Sequence, residues 1–142
     1  QCFDRLADLG RRARSSPPRS DTMKYMLLIY SSGATWDALT QAERDELERA
    51  HSELYYELVR SGEWVGGNAL ADPSRSVGVR VRDGVPVTTD GPYVEVKEHL
   101  AGYDVVDCES LERALEIAAR IPDAAICGVE VRPIMDVGGM EM

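Results

Sequence analysis

Two side chains in this sequence combine the right chemistry with neighbours that would hold them still: Asp90 and His51. Asp90 opens the run Asp90-Gly91-Pro92-Tyr93. Gly91 can take backbone angles closed to other residues, Pro92 fixes its own φ, and a proline pushes the residue before it toward an extended form. A carboxylate at such a corner either accepts backbone N–H groups and holds the turn, or is held rigidly enough to work as an acid–base group. His51 lies four residues after Leu47 and three before Leu54, on or beside the apolar stripe of a helix. An imidazole there can titrate near neutrality and move protons. It can equally be a core-edge histidine satisfied by one hydrogen bond. Whether His51 and Asp90 line one cavity is the decisive question about a site.

Around these two stand further candidates. Glu95 and Lys97 share a side of an extended segment, and Glu98 points away. Such a pair can bind a polar substrate or form a plain surface ion pair. Tyr30, Tyr93 and Tyr103 offer apolar rings with polar tips and could line the same region. His99 stands within the charged run and ranks below His51. A metal is not expected, because the histidines are far apart and no Cys-x-x-Cys, His-x-x-x-His or Asp-rich loop occurs. No Gly-x-Ser-x-Gly elbow supports serine hydrolysis, and no glycine-rich phosphate loop is present, so no cofactor is expected.

The elements that must position these groups are readable in order. Tyr25 to Tyr30 is a short apolar run, as in a central strand. Thr40-Gln41-Ala42-Glu43 is a capping box, and the helix it opens runs to about Ser61, where Gly62 stops it. Leu47, Ala50, Leu54 and Leu58 mark its buried stripe. Glu63 to Leu70 reads as a strand, with Gly66-Gly67 as a bulge or a close backbone approach. Val77, Val79 and Val81 alternate with polar residues, Asp83-Gly84 marks a hairpin turn, and Val85 to Thr89 returns. Gly102 to Asp107 is another strand. Ser110 caps a second helix with the stripe Leu111, Ala114, Leu115, Ala118 and Ile121, ended by Pro122. Cys127 to Ile134 is a last strand, and Gly138-Gly139 leads into a frayed tail. The order is β-α-β, an inserted hairpin, then β-α-β. Such halves fit an α+β, ferredoxin-like sandwich with both helices on one sheet face. That plan leaves the other face apolar, and symmetric pairing into a homodimer is the usual remedy.

Composition sets the outer limits. The chain has 142 residues, 44% of them hydrophobic and 29% charged, enough for one folded domain with a core. A net charge of −9 argues against nucleic-acid partners. No apolar run is long enough to span a membrane, and no signal segment is seen. Three scattered cysteines suggest reduced thiols and a cytoplasmic location. Residues 1–22 differ from the rest. Their five arginines outnumber three aspartates, leaving −11 on residues 23–142, and Ser15-Ser16-Pro17-Pro18 reads as a linker. The expected organisation is an N-terminal extension over 1–22, a domain over 23–136 and a tail over 137–142.

The run Asp90-Gly91-Pro92-Tyr93, followed by Glu95, Lys97, Glu98 and Leu100-Ala101-Gly102-Tyr103, resembles the DGPF branch of the YCII-related (YciI-like) family. The likeness extends from Met23 to about Ile134. The family usually has Phe at the position of Tyr93 and Gly at that of Ala101. The resemblance implies a ferredoxin-like domain that forms a dimeric α+β barrel with an internal cavity. In the wider group a His–Asp pair has been proposed as an active site, for which His51 and Asp90 are the candidates here. The expected function is a cofactor-independent small-molecule enzyme, with Asp90 and His51 catalytic and Tyr30, Tyr93, Glu95 and Lys97 binding substrate near the dimer interface. The alternative is a non-catalytic ligand-binding or regulatory module, because members are often encoded beside extracytoplasmic-function sigma factors.

Overall fold

The computed structural model describes residues 22–92, 97–135 and 141–142. The expected N-terminal extension, apart from Thr22, falls outside them. The elements run β1 (Met23–Ser31), α1 (Gly33–Asp37), α2 (Gln41–Ser61), β2 (Trp64–Ala69), β3 (Val77–Arg82), β4 (Val85–Asp90), β5 (His99–Cys108), α3 (Leu111–Arg120) and β6 (Gly128–Pro133). Short 3-10 turns occupy Pro73–Arg75 and Pro122–Ala125. The fold is mixed α+β. One antiparallel sheet has the order β2-β5-β1-β6, and among the described residues β3 and β4 pair only with each other, in a second, two-stranded sheet.

Local chemistry sets most of these boundaries. The Thr40 hydroxyl accepts from the Glu43 backbone N–H at 3.1 Å and donates to the Glu43 carboxylate at 3.1 Å, so the capping box forms. Gly62 ends α2 at φ 79°, a left-handed angle suited to glycine. The turn between β3 and β4 is Asp83 at φ 51° and Gly84 at φ 78°, the paired positive angles of a tight hairpin. The short helix α1 carries no apolar period long enough to predict. The Ser32 hydroxyl starts it by accepting from the Thr35 N–H at 3.2 Å.

Packing uses one face of the large sheet. Tyr25, Leu27 and Ile29 of β1 and Val106 and Cys108 of β5 are buried against Leu54 and Leu58 of α2 and Ala114, Ile117 and Ala118 of α3. Leu111 and Leu115, expected in the stripe of α3, are instead 45% and 50% exposed, and Ile117 takes the inward place at 0%. The ten residues of α3 are rotated so that the small side chains Ala114 and Ala118 meet the sheet. Arg113 of α3 grips the Glu63 carboxylate with two bonds of 2.9 Å, fixing the helix to the entrance of β2. Arg120 pairs with Glu57 of α2.

The opposite face of the sheet carries Met26, Leu28 and Tyr30 of β1 beside Tyr103 and Val105 of β5, all half-buried. β1 is central, as expected, but α2 and α3 cover only one of its faces. β5 begins three residues earlier than the sequence suggests, because His99 and Leu100 pair with Ser31 and Tyr30. The tail is not frayed at its end. Met142 accepts from the Lys24 N–H and donates to the Ile134 carbonyl.

Candidate functional site

Residue 51 sits on the inward face of α2, together with Leu54, Tyr55 and Leu58. An imidazole in that position needs a polar partner. It comes from the turn after α3. Pro122 starts this 3-10 turn, and the Asp123 carbonyl closes it by accepting from the N–H groups of Ile126 and Cys127. The Asp123 side chain is thereby aimed back at α2. Its Oδ1 lies 2.7 Å from His51 Nε2. The histidine side chain is 7% exposed and the aspartate 17%, so the pair meets solvent mainly at Asp123. A histidine–carboxylate bond this short holds the imidazole ring in one orientation.

A second carboxylate stands near this pair. Asp104 lies in the middle of β5, opposite Leu27 of β1 and Gly67 of β2. It has the parity of Val106 and Cys108, so it points to the helix-covered face. Room for it comes from Gly67. A Cβ on residue 67 would fall 2.5 Å from Asp104 Oδ1, 2.8 Å from the Tyr103 carbonyl oxygen and 2.9 Å from Trp64 Cη2. The carboxylate oxygen and the indole edge therefore share the space that a side chain would fill. The Trp64 ring is itself held edge-on against Tyr55, with centroids 5.1 Å apart. Burial pushes the Asp104 carboxyl up from its ordinary value to about 7; His51 acts against the rise, and the negative charge of Asp123 adds to it. A carboxyl with that value exchanges a proton near neutral pH, which suits general acid–base work.

The residues singled out in the sequence are spread over more than one surface. His51 is in the buried cluster. Asp90 ends β4 opposite Val77 in the two-stranded sheet, exposed, and the next residue, Gly91, donates its N–H to the Ser76 carbonyl at 2.7 Å. Gly91 has φ 92°, so its freedom to take positive angles is used there. Tyr30 lies on the open face of the large sheet, with the sheet between it and His51. Lys97 is exposed just before β5. Tyr93 and Glu95 lie outside the described residues. The structure thus gives His51 the carboxylate of Asp123 as a hydrogen-bonding partner, and Tyr103 the amide of Asn68 at 2.9 Å. Among the described residues no group of three or more His, Cys, Asp and Glu side chains is placed to hold a metal ion. Among them no helix is long and apolar enough to cross a membrane.

Asp104 and Asp123 are the members that sequence reasoning missed. Asp104 carried a usable signal: a charged residue at an inward position of a strand, beside a glycine pair that marks close backbone approach. Asp123 carried none, because Pro122-Asp123 reads simply as the end of a helix.

Comparison with known proteins agrees with the resemblance seen in the Asp90 run. An uncharacterised protein of Rhizobium meliloti (strain 1021) is 29% identical over 114 residues, covering 79% of this chain and 92% of that protein. The family model of the YCII-related domain matches residues 23–138, the span that holds both sheets, α2, α3, His51, Asp104 and Asp123. The chain belongs to the YCII-related family.

Proposed function

We propose that this protein is a cofactor-independent enzyme acting on a small molecule, with His51, Asp123 and Asp104 as its acid–base centre. The observation that carries the proposal is the Asp104 carboxyl, raised to about 7 beside a histidine already bonded to a second carboxylate at 2.7 Å. A purely structural position rarely holds two half-buried acids around a buried imidazole, because withdrawing ionisable groups from water is costly. In this scheme Asp123 orients His51, and His51 and Asp104 are the two groups that give and take the proton. Proton transfer, elimination or hydrolysis fits such a centre.

The proposal includes a cytoplasmic homodimer. The strand order β2-β5-β1-β6, with α2 and α3 on one face, supports a ferredoxin-like sandwich. The half-buried row of Met26, Leu28, Tyr30 and Val105 supports pairing of two such sheets into an α+β barrel. Asp90, Tyr30 and Lys97 then belong to the ligand-contacting surface near the interface, apart from the proton-transferring cluster.

The test is a turnover screen over small esters, lactones and hydroxy acids, followed by NMR, on wild type, Asp104→Asn and His51→Gln. Turnover that falls by about 100-fold or more in both variants, with the fold retained, is expected. A substrate turned over equally by all three proteins would overturn the assignment. A ligand bound equally by all three and never converted would favour the non-catalytic binding module.

A further inference from the structure

The β3–β4 hairpin is well formed and yet almost bare. Val77, Val79 and Val81 are 61%, 59% and 66% exposed, and among the described residues the strands pair with each other alone. Register sorts the side chains onto two unlike faces. Val79 stands opposite Thr88, Val81 opposite Pro86 and Val77 opposite Asp90, so these six share one face. Arg80 and Arg82 share the other with Val87 and Val85. The first face is therefore a row of three valines and a proline with no cation. A two-stranded hairpin is at best marginally stable alone in water, and exposed valines make it a poor solvated surface. Pro86 lacks an N–H and sits on an edge strand, which discourages a further strand from joining there and leaves packing by face.

We infer that this hairpin is a dimerisation arm, whose valine face packs on a second copy of the same chain. The inference rests on the homodimer proposed above and says how that dimer reaches a stable size. The strands β2, β5, β1 and β6 have 6, 10, 9 and 6 residues, so at about 4.8 Å spacing and about 26 Å mean length they present roughly 500 Å² on the open sheet face, and two such faces bury roughly 1,000 Å². A stable specific interface buries about 1,200–2,000 Å² in total. Sheet against sheet alone falls short. One face of the hairpin adds about 200 Å² of arm and about as much on the surface receiving it, and twofold symmetry doubles this, which brings the total to about 1,800 Å². Asp90 lies on the valine face, at the base of the arm, so the same docking carries Asp90 to the boundary between the two copies. A second copy also explains why both apolar faces occur on one chain: each is covered by the symmetric act that covers the other.

The experiment is analytical ultracentrifugation of wild type, Val79→Thr/Val81→Thr and Val85→Thr/Val87→Thr over a wide concentration range. Threonine keeps strand propensity and shape while replacing a methyl by a hydroxyl, so the hairpin survives in both variants, as unchanged far-UV circular dichroism would verify. The expected result is a wild-type dimer whose dissociation constant rises at least about tenfold in Val79→Thr/Val81→Thr, because each change counts twice across a twofold axis, and stays within about threefold in the other variant. A wild-type dimer that both variants leave unweakened would overturn the arm while sparing the dimer. A wild type that stays monomeric at high concentration would overturn the dimer reading and, with it, a second copy as the arm's occupant.

Discussion

The two faces of the large sheet are built from the same strands and differ in almost everything else. On the helix-covered face, Leu27, Ile29 and Val106 are fully buried, and the same face admits Asp104. On the open face, Leu28, Tyr30, Tyr103 and Val105 remain half-buried, and the polar contact there is an exposed amide–hydroxyl bond from Asn68 to Tyr103. Strand alternation alone separates them. The contrast shows where the environment is strong enough to change chemistry. A carboxyl on the open face would keep its usual behaviour in water, whereas the one on the covered face is pushed to about 7.

The sharpest way to break this comparison is to cut equal side chains from the two faces. Leu27→Ala removes a side chain with 0% exposure and should cost about 2–5 kcal/mol in urea unfolding. Leu28→Ala, the next residue, should cost the monomeric fold less than about 1 kcal/mol and show its effect in dimer dissociation instead. Equal losses would mean that the faces are not distinct.

Asp104→Asn comes next and has a sign set by pH. A carboxyl whose folded value is raised holds its proton more tightly in the native state than in the unfolded one. Its favourable contribution is complete below the ordinary carboxylate range, falls as pH rises, and is lost above about 7. Asparagine has no charge to bury. The variant should therefore match wild type near pH 4 and exceed its stability by about 2–4 kcal/mol at pH 8, measured by denaturant unfolding at both values. A variant less stable than wild type at pH 8 would contradict the burial of a titrating acid.

Gly67→Ala tests the space beside that acid. Its Cβ would meet the Asp104 oxygen at 2.5 Å and the Tyr103 backbone at 2.8 Å, and the second of these cannot swing away. A loss of about 1–3 kcal/mol is expected in thermal or urea unfolding. Gly66→Ala, with nothing within 4 Å of its Cβ, should cost much less. The smallest effect belongs to the open face. Tyr103→Phe removes the acceptor of the Asn68 amide and should change stability by less than about 1 kcal/mol.

Much of the fold was legible because its signals are local. Thr40 and Glu43 satisfy the helix start between themselves, Gly62 takes the left-handed stop, and Asp83-Gly84 makes the turn without help from the rest of the chain. The strand order follows from the element order by few alternatives. The cluster was harder to read because it is assembled at long range. Its spacing sets His51 on or beside the buried stripe, but the carboxylate it meets lies 72 residues away, in a turn whose sequence says only that a helix has ended. Asp90 drew attention because Gly-Pro makes a rigid corner, and rigidity is a local property. Burial of Asp104 depends instead on Gly67 and Trp64 from another strand, which no window around residue 104 contains. The exposed Leu115 and buried Ile117 show the same limit, since the rotation of α3 is set by what it packs against.

The central claim is that Asp104 exchanges its proton near neutrality under the influence of His51 and Asp123. Carbon-13 NMR of the aspartate side-chain carboxyls, with Asp104 assigned by Asp104→Asn, measures this directly. The account predicts a midpoint of about 7, rising in His51→Gln, which removes the group that lowers it, and falling in Asp123→Asn, which removes a charge that raises it. A midpoint near the ordinary aspartate value of about 4, unmoved by either substitution, would contradict it.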